Sequence, residues 1–387
     1  MQMFETYIKN DRHRTLVDKA GRIAAKVEQR VHIAEASAQF PQENINDLRA
    51  ERYLSLTLPT EYNGEALSLY EFLLMQERLA MGDGATALSI GWHLGIVKEL
   101  AEDRIWENET FDWFAREVAD KQILVNRIAS EKATGSPTRG GVPETIAKRE
   151  GDHYLITGRK TFSTMASVLD YFIVSAYVED QDTVGSFLIK SDQAGVSIDK
   201  TWDTLGMRGT GSDDVVFNQV KVNETMLVEL NKQANTKKAK GWLLHIPACY
   251  LGIAMAARND AIDFAKNFQP NSLKTPIAEV PHIQQKIGEI DLKLMQARCF
   301  MYQVAQEWDQ CSSDQRQELS AELAATKTIA TNIANEVVDI AMRIVGGRGL
   351  SKAYRFEQYY RDVRAGLHNP PMDDMVIQIL AKRAISE

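Results

Sequence analysis

The sequence contains little glycine, proline or cysteine. Of its 387 residues only 23 are glycine and 10 are proline, about 9% together, where globular proteins average roughly 12%. A shortage of turn-forming residues favours long helices over a turn-rich all-β architecture. The three cysteines, Cys249, Cys299 and Cys311, are odd in number and lack CxxC spacing. This argues against a disulfide framework or a thiolate metal site and indicates a reducing compartment.

An excess of basic residues and long apolar runs are also missing. The 45 Lys and Arg against 53 Asp and Glu give a net charge of −8, and phosphate binding needs a basic surface, so nucleic acid is not an expected partner. No stretch of about 18 apolar residues occurs, and the first residues contain no apolar signal core. We therefore expect no membrane span and a cytoplasmic location.

The hydrophobic pattern changes twice along the chain and predicts three domains. Residues 1–123 show helical spacing, whereas 124–225 contain short β-branched and aromatic runs such as Tyr171-Phe172-Ile173-Val174, which predict strands. Helical spacing returns within 226–387, after a polar segment, 226–240, that we expect to be a solvated connector. One predicted face consists of Ile283, Ile287, Ile290, Leu294, Ala297 and Met301. Blocks that do not alternate exclude a doubly wound α/β sheet and predict a mostly α protein with a central β domain.

Familiar catalytic and metal-binding motifs are absent from the sequence. The two nearest histidines are His13 and His32, too far apart for HExxH or zinc-finger ligands, so no metal site is expected. There is no GxxxxGK[ST] phosphate loop and no GxSxG nucleophile turn. Gly347-Arg348-Gly349 follows a predicted helix rather than a strand and lacks the last glycine of the GxGxxG fingerprint, which excludes a Rossmann site.

Four stretches rich in glycine and hydroxyl groups stand out instead. They are SEKATGS at 130–136, TGRKTFST at 157–164, LGMRGT at 205–210, and IVGGRGL at 344–350 followed by Tyr360-Arg361-Asp362. In this order and at these spacings they resemble the acyl-CoA dehydrogenase family of flavoproteins, as does LPTEYNG at 58–64. The resemblance covers nearly the whole chain. It implies an N-terminal helical domain, a β-barrel-like middle domain and a C-terminal four-helix bundle, in a homodimer or homotetramer that holds FAD.

The resemblance also implies which residues contact the flavin ring. Ser130 stands where the family pattern TEPxAGSD has its first Thr, which hydrogen-bonds the flavin edge, and Ser136 matches the later Ser near the pyrophosphate. In the pattern GKKxWITN, the aromatic residue packs on the ring and the Thr meets N5. The matching positions are Phe162 and Thr164. A strand that alternates inward and outward would explain either of these two residues alone.

A glycine pair is expected to serve the other end of the cofactor. In the family, the loop that matches Gly346 and Gly347 comes from the neighbouring subunit and lies against the FAD dinucleotide, where a Cβ would obstruct the ligand. The pair also suits a helix C-cap. Arg343 stands where the family has Gln, and the segment 268–274 lacks the usual Arg for the pyrophosphate. Arg343 is therefore a candidate for a charge-assisted contact to the cofactor.

The catalytic base is the least defined part of the resemblance. Acyl-CoA dehydrogenation removes an α-proton, so a carboxylate must stand over the substrate. The position of the usual Glu falls on Pro370, which cannot accept a proton. Three substitutes remain as candidates: Asp373, His368 and His245. Asp373 also suits the start of a final helix, and His245 suits the apolar core of a helix.

Three functions follow from this pattern. The first is an FAD-dependent acyl-CoA dehydrogenase of fatty acid metabolism, which oxidises an acyl thioester between Cα and Cβ, transfers hydride to flavin N5 and passes electrons to an electron-transferring flavoprotein. The second is a flavin-dependent monooxygenase of the same fold, since those relatives lack the catalytic Glu and often carry a histidine where this chain has His368. The third is a non-catalytic flavin-binding pseudoenzyme.

Overall fold

Seven helices form the first part of the chain in the computed structural model, which describes residues 2–134, 141–230 and 238–386. They are α1 (Gln2–Glu5), α2 (Asp11–Glu28), α3 (Val31–Ser37), α4 (Gln42–Ala50), α5 (Leu69–Ala80), α6 (Gly84–Asp103) and α7 (Asn108–Lys121). Short 3-10 turns at Tyr53–Ser55 and Thr60–Tyr62 join α4 to α5. The helical character expected for this part of the sequence is thus observed.

Helix α5 lies at the centre of the N-terminal layer. Its start is closed by a reciprocal cap, because Ser68 Oγ accepts the N–H of Glu71 and the Glu71 carboxylate accepts the N–H of Ser68, both over 3.1 Å. Every residue from 69 to 77 is buried, although the sequence pattern indicates only one apolar face. The reason is that α2 packs on α5 from the N-terminal part of the chain and α8, described below, from the C-terminal part.

Eight strands form one mixed sheet in the middle of the described chain. They are β1 (Val125–Ile128), β2 (Ile146–Glu150), β3 (His153–Lys160), β4 (Tyr171–Val178), β5 (Thr183–Lys190), β6 (Val196–Asp199), β7 (Asp214–Asn223) and β8 (Leu227–Leu230). The strand order is β6-β7-β3-β2-β4-β5-β8, and β1 pairs in parallel with β4. Strands β3 and β7 pair antiparallel, so the end of β3 lies beside the start of β7, where the candidate site is built.

Five helices form the C-terminal part: α8 (His245–Asn267), α9 (Pro281–Gln310), α10 (Ser320–Val345), α11 (Phe356–Gly366) and α12 (Asp373–Ser386). Helices α8, α9 and α10 pack on one another, and α11 packs on α8 and α10. The predicted face of α9 is confirmed, since five of its six residues are buried and Ile287 is half-buried. None of the helices in the described ranges has both the length and the apolar composition required to cross a bilayer.

The expectation of a solvated connector over 226–240 is wrong at its beginning. Leu227–Leu230 form β8, which pairs antiparallel with β5. The one charged residue of this strand, Glu229, is paired, because its carboxylate accepts two hydrogen bonds from the Arg127 guanidinium over 2.9 and 2.7 Å. A paired charge can occupy a half-buried strand, but the partner stands far away in the sequence.

Two buried side chains join the sheet to the helices on either side. Asp362 on α11 accepts the backbone N–H of Met207 over 2.6 Å. On α6, His93 Nδ1 accepts the N–H of Val125 over 3.2 Å, and His93 Nε2 lies 2.9 Å from Leu54 O. Since Nδ1 accepts, Nε2 carries the proton and donates to that carbonyl. Burial lowers the pKa of His93 to about 4, so the neutral imidazole acts as a structural link.

Candidate active site

The turn that follows β3 brings three of the predicted flavin contacts together. The N–H of Thr161 donates to Ser130 O over 2.9 Å, and the N–H of Thr164 donates to Phe162 O over 3.0 Å. Ser130 and Thr164 are half-buried, whereas the Phe162 side chain is exposed. Ser130, Phe162 and Thr164 therefore lie close together at the end of the strand. Ser136, the fourth predicted contact, lies outside the described residues.

Phe162 is held in an unusual conformation on this surface. Its φ is 54°, in the left-handed region that non-glycine residues seldom adopt, and it is 67% exposed. The ring meets that of Trp202 edge to face, with centroids 5.7 Å apart. Strained backbone and exposed aromatic rings are both retained where a ligand uses them. Trp202 is a site residue that the sequence analysis missed, because no motif marks it.

A buried ion pair supports the surface from below. Lys160 Nζ lies 2.5 Å from Glu131 Oε1, and the two side chains are 0% and 2% exposed. Glu131 also accepts the Thr145 hydroxyl over 2.6 Å and the backbone N–H groups of Thr145 and Glu144. Burial raises the pKa of Glu131, but Lys160 and these donors outweigh it and hold the pKa below its usual value. The pair was also missed, and it fixes the segment that follows Ser130.

An unpartnered acceptor lies behind the same turn. Asn126 on β1 donates from Nδ2 to Thr164 O over 3.2 Å and is buried. Its Oδ1 has no hydrogen-bond partner among the described residues. A buried acceptor without a donor is costly, so this atom is suited to a ligand or water that supplies one. On the other side, Thr164 Oγ1 accepts the Ser212 hydroxyl over 3.1 Å.

The predicted contacts of the dinucleotide end lie at the C-terminus of α10. Gly346 and Gly347 are exposed, and a Cβ added to either would meet no atom within 4 Å. Of these two residues, Gly346 alone has a backbone conformation that requires glycine in a single copy of the chain, since its φ is 69°. Arg343 is 65% exposed and pairs with a carboxylate one turn earlier on α10. Arg348, which the sequence analysis did not select, stacks its guanidinium 4.2 Å from the centroid of the Phe268 ring.

Asp373 is engaged in structural contacts. Its carboxylate accepts hydrogen bonds from Lys327 over 3.3 Å, Thr328 over 3.1 Å and Asn332 over 2.7 Å, all on α10, and it opens helix α12. Burial raises the pKa of Asp373, but these donors, with Asn332 foremost, hold it below its usual value. A carboxylate stabilised in this way is a weak proton acceptor.

The two candidate histidines have opposite environments. His245 is fully buried between the rings of Phe72, Trp92 and Trp242, and neither ring nitrogen has a partner in the described chain. Burial lowers the pKa of His245 to about 3, so the imidazole is neutral. His368 lies exposed just after α11. The structure therefore does not gather Asp373, His245 and His368 into one catalytic group.

The surface at the end of β3 fits a flavin ring. It offers the exposed ring of Phe162 beside the half-buried ring of Trp202, the hydroxyl of Thr164 and the unpartnered Asn126 Oδ1. The adjoining carboxylate of Asp213 accepts the N–H groups of Thr201 and Trp202, each over 2.9 Å, and so holds the loop that carries Trp202. Within the described ranges no three His, Cys, Asp or Glu side chains are arranged to hold a metal ion.

Comparison with known proteins agrees with these features. Models of the acyl-CoA dehydrogenase N-terminal, middle and C-terminal domains match residues 10–103, 127–220 and 244–383. YdbM of Bacillus subtilis, named as a candidate acyl-CoA dehydrogenase, is 49% identical over 98% of each chain. A 3-(aryl)acrylate reductase of Clostridium sporogenes is 30% identical over 85% of this chain and 86% of its own. A dibenzothiophene monooxygenase of Mycolicibacterium goodii is 26% identical over 94% and 92%.

The architecture agrees as well. The FMN-bound structure of TdsC from a Paenibacillus species superposes with a TM-score of 0.84 at 22% identity, covering 94% of this chain and 95% of that one. At this identity the match shows the fold alone. The expected architecture of helices, central sheet and helical bundle is confirmed. With three domain models in order and a relative 49% identical along its length, the chain belongs to the acyl-CoA dehydrogenase family of flavin oxidoreductases.

Proposed function

We propose that this family member is a flavin-dependent monooxygenase. In this reaction reduced flavin and O2 place one oxygen atom on an organic substrate, the other oxygen leaves as water, and the flavin is oxidised. The observation that carries the proposal is the missing base. The resemblance implies that the family's Glu position falls on Pro370, and the environments of the three substitutes argue against each of them as the base.

Asp373, His245 and His368 are each unsuited to act as the base for a different reason. Asp373 is stabilised in its ionised form by three donors on α10. His245 has a pKa of about 3 and is enclosed by aromatic rings, so it would hold an abstracted proton only weakly. His368 is exposed, where water competes with any substrate. Oxygenation of a sulfur or nitrogen atom requires no α-proton removal, so the lack of a suitable base supports the monooxygenase proposal.

The cofactor we propose is FAD. Its ring would be held by Ser130, Phe162 and Thr164, and its dinucleotide end by Gly346 and Gly347 of a second copy, so the protein would act as a homodimer or homotetramer. The flavin, when bound, supplies the two-electron and oxygen chemistry. The protein contributes an aromatic surface, a directed hydroxyl at Thr164 and the polar support beneath them. We place this activity in the cytoplasm, as the cysteine content suggests.

A second candidate is the acyl-CoA dehydrogenase expected from the resemblance. It is favoured by the relative that is 49% identical and carries that name. The substrate would then be an acyl-CoA, the electron acceptor an electron-transferring flavoprotein, and a base would have to take the α-proton while hydride passes from Cβ to N5. In that case one of Asp373, His368 or His245 would have to change its environment when substrate binds.

Exchange of the α-proton separates the two functions. The flavin-loaded enzyme is incubated without oxygen in D2O with butyryl-CoA or octanoyl-CoA, while flavin absorbance and deuterium at Cα are followed. In a second arm, chemically reduced enzyme is mixed with 18O2 and a panel of organic sulfides and amines, and products are analysed by mass spectrometry. We expect no bleaching, no deuterium at Cα, and 18O in a product.

Each result has a defined meaning. Bleaching together with deuterium exchange would reject the monooxygenase in favour of the dehydrogenase. Absence of both reactions in a protein that binds flavin would indicate a non-catalytic flavin carrier. A protein that takes up neither FAD nor FMN would reject the flavin site itself.

A further inference from the structure

Three hydroxyl side chains lead from the protein interior to the candidate flavin surface. Thr210 Oγ1 lies 2.9 Å from Ser212 Oγ, and Ser212 Oγ donates to Thr164 Oγ1 over 3.1 Å. Thr210 and Ser212 are 2% and 4% exposed, whereas Thr164 is half-buried. The hydroxyl that the family resemblance assigns to flavin N5 is thus connected to two buried hydroxyls behind it.

The single proton on each hydroxyl limits how this chain can be arranged. Thr210 can donate to Met207 O, 2.9 Å away, or to Ser212. Met207 O already accepts the N–H of Thr210 over 3.1 Å and Trp202 Nε1 over 3.2 Å, so it is satisfied without the hydroxyl. Because Ser212 gives its proton to Thr164, two oxygens would face each other at 2.9 Å unless Thr210 donates to Ser212. In the arrangement that satisfies both hydroxyl contacts of Ser212, the protons run from Thr210 to Ser212 to Thr164.

This order leaves the proton of Thr164 available to a ligand. Among the described residues no acceptor for the Thr164 hydroxyl is found, while its oxygen accepts from Ser212. Hydroxyls in such a series polarise one another, so Thr164 becomes a stronger donor than an isolated threonine. The surface consequently presents a directed hydrogen-bond donor at this point.

The backbone keeps the three hydroxyls in register. The N–H of Ser163 donates to Asp213 O over 3.3 Å, and the N–H of Met165 donates to Thr210 O over 3.0 Å. These bonds flank Thr164 on both sides and tie the turn after β3 to the loop that carries Thr210 and Ser212. Their spacing is therefore set by main-chain contacts as well as by the side chains themselves.

We propose, on the basis of the flavin site proposed above, that Ser212, supported by Thr210, holds the Thr164 hydroxyl as a donor toward flavin N5 and thereby lowers the reduction potential of the bound flavin. N5 of an oxidised flavin is a hydrogen-bond acceptor, whereas N5 of a reduced flavin carries a hydrogen and would meet another donor. A fixed donor therefore favours the oxidised form. Ser212 and Thr210 are positioning residues, since they act through Thr164.

The test is the midpoint potential of the flavin-loaded protein, measured by equilibration with redox dyes in the variants Ser212→Ala, Thr210→Val and the double variant. For Ser212→Ala we expect a roughly two- to fivefold shift toward reduced flavin, since part of one net hydrogen bond is lost, which is about 10 to 20 mV upward for a two-electron couple. Thr210→Val should shift the potential less, in the same direction. The double variant should match Ser212→Ala, because Thr210 acts only through Ser212.

Thr57→Ala is the matched control. Like Ser212 and Thr210, Thr57 carries a buried, hydrogen-bonded hydroxyl, which donates to Leu94 O over 2.8 Å. Unlike them, it lies in the N-terminal helical part. It should lower thermal stability and leave the potential unchanged. If Ser212→Ala does not fold, Ser212→Cys, a weaker donor of similar size, should give a smaller upward shift.

The outcomes distinguish this proposal from the proposed function. A folded, flavin-bound Ser212→Ala protein with unchanged or lowered potential overturns the role of Ser212 and leaves the flavin site standing. If the midpoint potential of the double variant shifts by the sum of the two single shifts, the claim that Thr210 acts only through Ser212 is overturned. A wild-type protein that binds neither FAD nor FMN rejects the flavin site, and the role of Ser212 with it.

Discussion

Removal of both partners of the buried pair of Lys160 and Glu131 should destabilise the protein far less than the sum of the two single removals. The two side chains are 0% and 2% exposed, so neither charge is screened by water. Breaking a buried ion pair typically costs about 3–5 kcal/mol, because the remaining charge is left uncompensated in a low-dielectric environment. Lys160→Met and Glu131→Gln preserve the approximate volumes, and most of the loss should therefore come from electrostatics.

The contacts predict which single variant is worse. After Lys160→Met, Glu131 keeps the Thr145 hydroxyl and two backbone N–H donors, so the cost should be about 3 kcal/mol. After Glu131→Gln, Lys160 keeps the hydroxyl of Ser175, 3.2 Å away, among its described partners, and the cost should approach about 5 kcal/mol. The double variant should lose about 3–4 kcal/mol rather than the sum of about 8 kcal/mol, a coupling of roughly 4–5 kcal/mol.

The measurement is urea unfolding at neutral pH of the four proteins in the cycle. Lys190→Met serves as the control, because the ion pair of Lys190 with Asp192 is largely exposed and its loss should leave the unfolding curve unchanged. Single variants that behave like this control, or single losses that add in the double variant, would refute the argument. Since Glu131 has a lowered pKa, the pair stabilises above the ordinary Glu pKa, and its advantage should fade as the pH falls through the folded value.

Three further substitutions test individual environments. Burial, with Glu35 nearby, raises the pKa of Asp362 to about 8, so its stabilising contribution is lost as the pH rises from about 4 to about 8. The unfolding free energy of Asp362→Asn should therefore rise relative to that of wild type over this interval. Parallel pH profiles of the two proteins would contradict this. His245→Phe removes two buried nitrogens without partners, so the free energy of unfolding should stay equal or rise by about 1 kcal/mol, and turnover should be retained. Loss of turnover in a folded variant would instead indicate that His245 is catalytic. Asp373→Asn should lower the unfolding free energy by about 1–3 kcal/mol, because three donors lose their ionised acceptor. The flavin reduction potential should stay unchanged, and a change in it would indicate that Asp373 lies at the flavin.

Much of the architecture could be predicted from the sequence because its signals are local. The spacing of apolar residues on α9 identifies a helix and the face that it buries, and short β-branched runs identify strands such as β4. The four motif stretches identified the family, which the comparisons confirm. The choice of FAD, the oligomeric state and the catalytic base stay predictions.

Other features escaped prediction because their partners are distant in the chain. Strand β8 lies in a segment expected to be a connector, and Arg127, the partner of its Glu229, stands 102 residues earlier. Lys160 and Glu131 are 29 residues apart, and Ser212 and Thr164 are 48 apart. A charged or hydroxyl side chain has no fixed meaning in a sequence, since burial and partners decide whether it is a solvated group, a structural pair or part of a site.

The order of helical and strand-forming segments and the lack of metal motifs can be derived from the sequence alone, and the turn after β3 is the place where it predicts flavin contacts. Periodicity and local residue chemistry carry that information along a few turns or strand residues. Three features become visible in the folded chain alone: Asp373 bonds α12 to α10, His245 is enclosed as a neutral ring, and Thr164 contacts a pair of buried hydroxyls. Those properties arise when packing removes water and brings distant groups within hydrogen-bond distance, which changes pKa values and fixes proton positions.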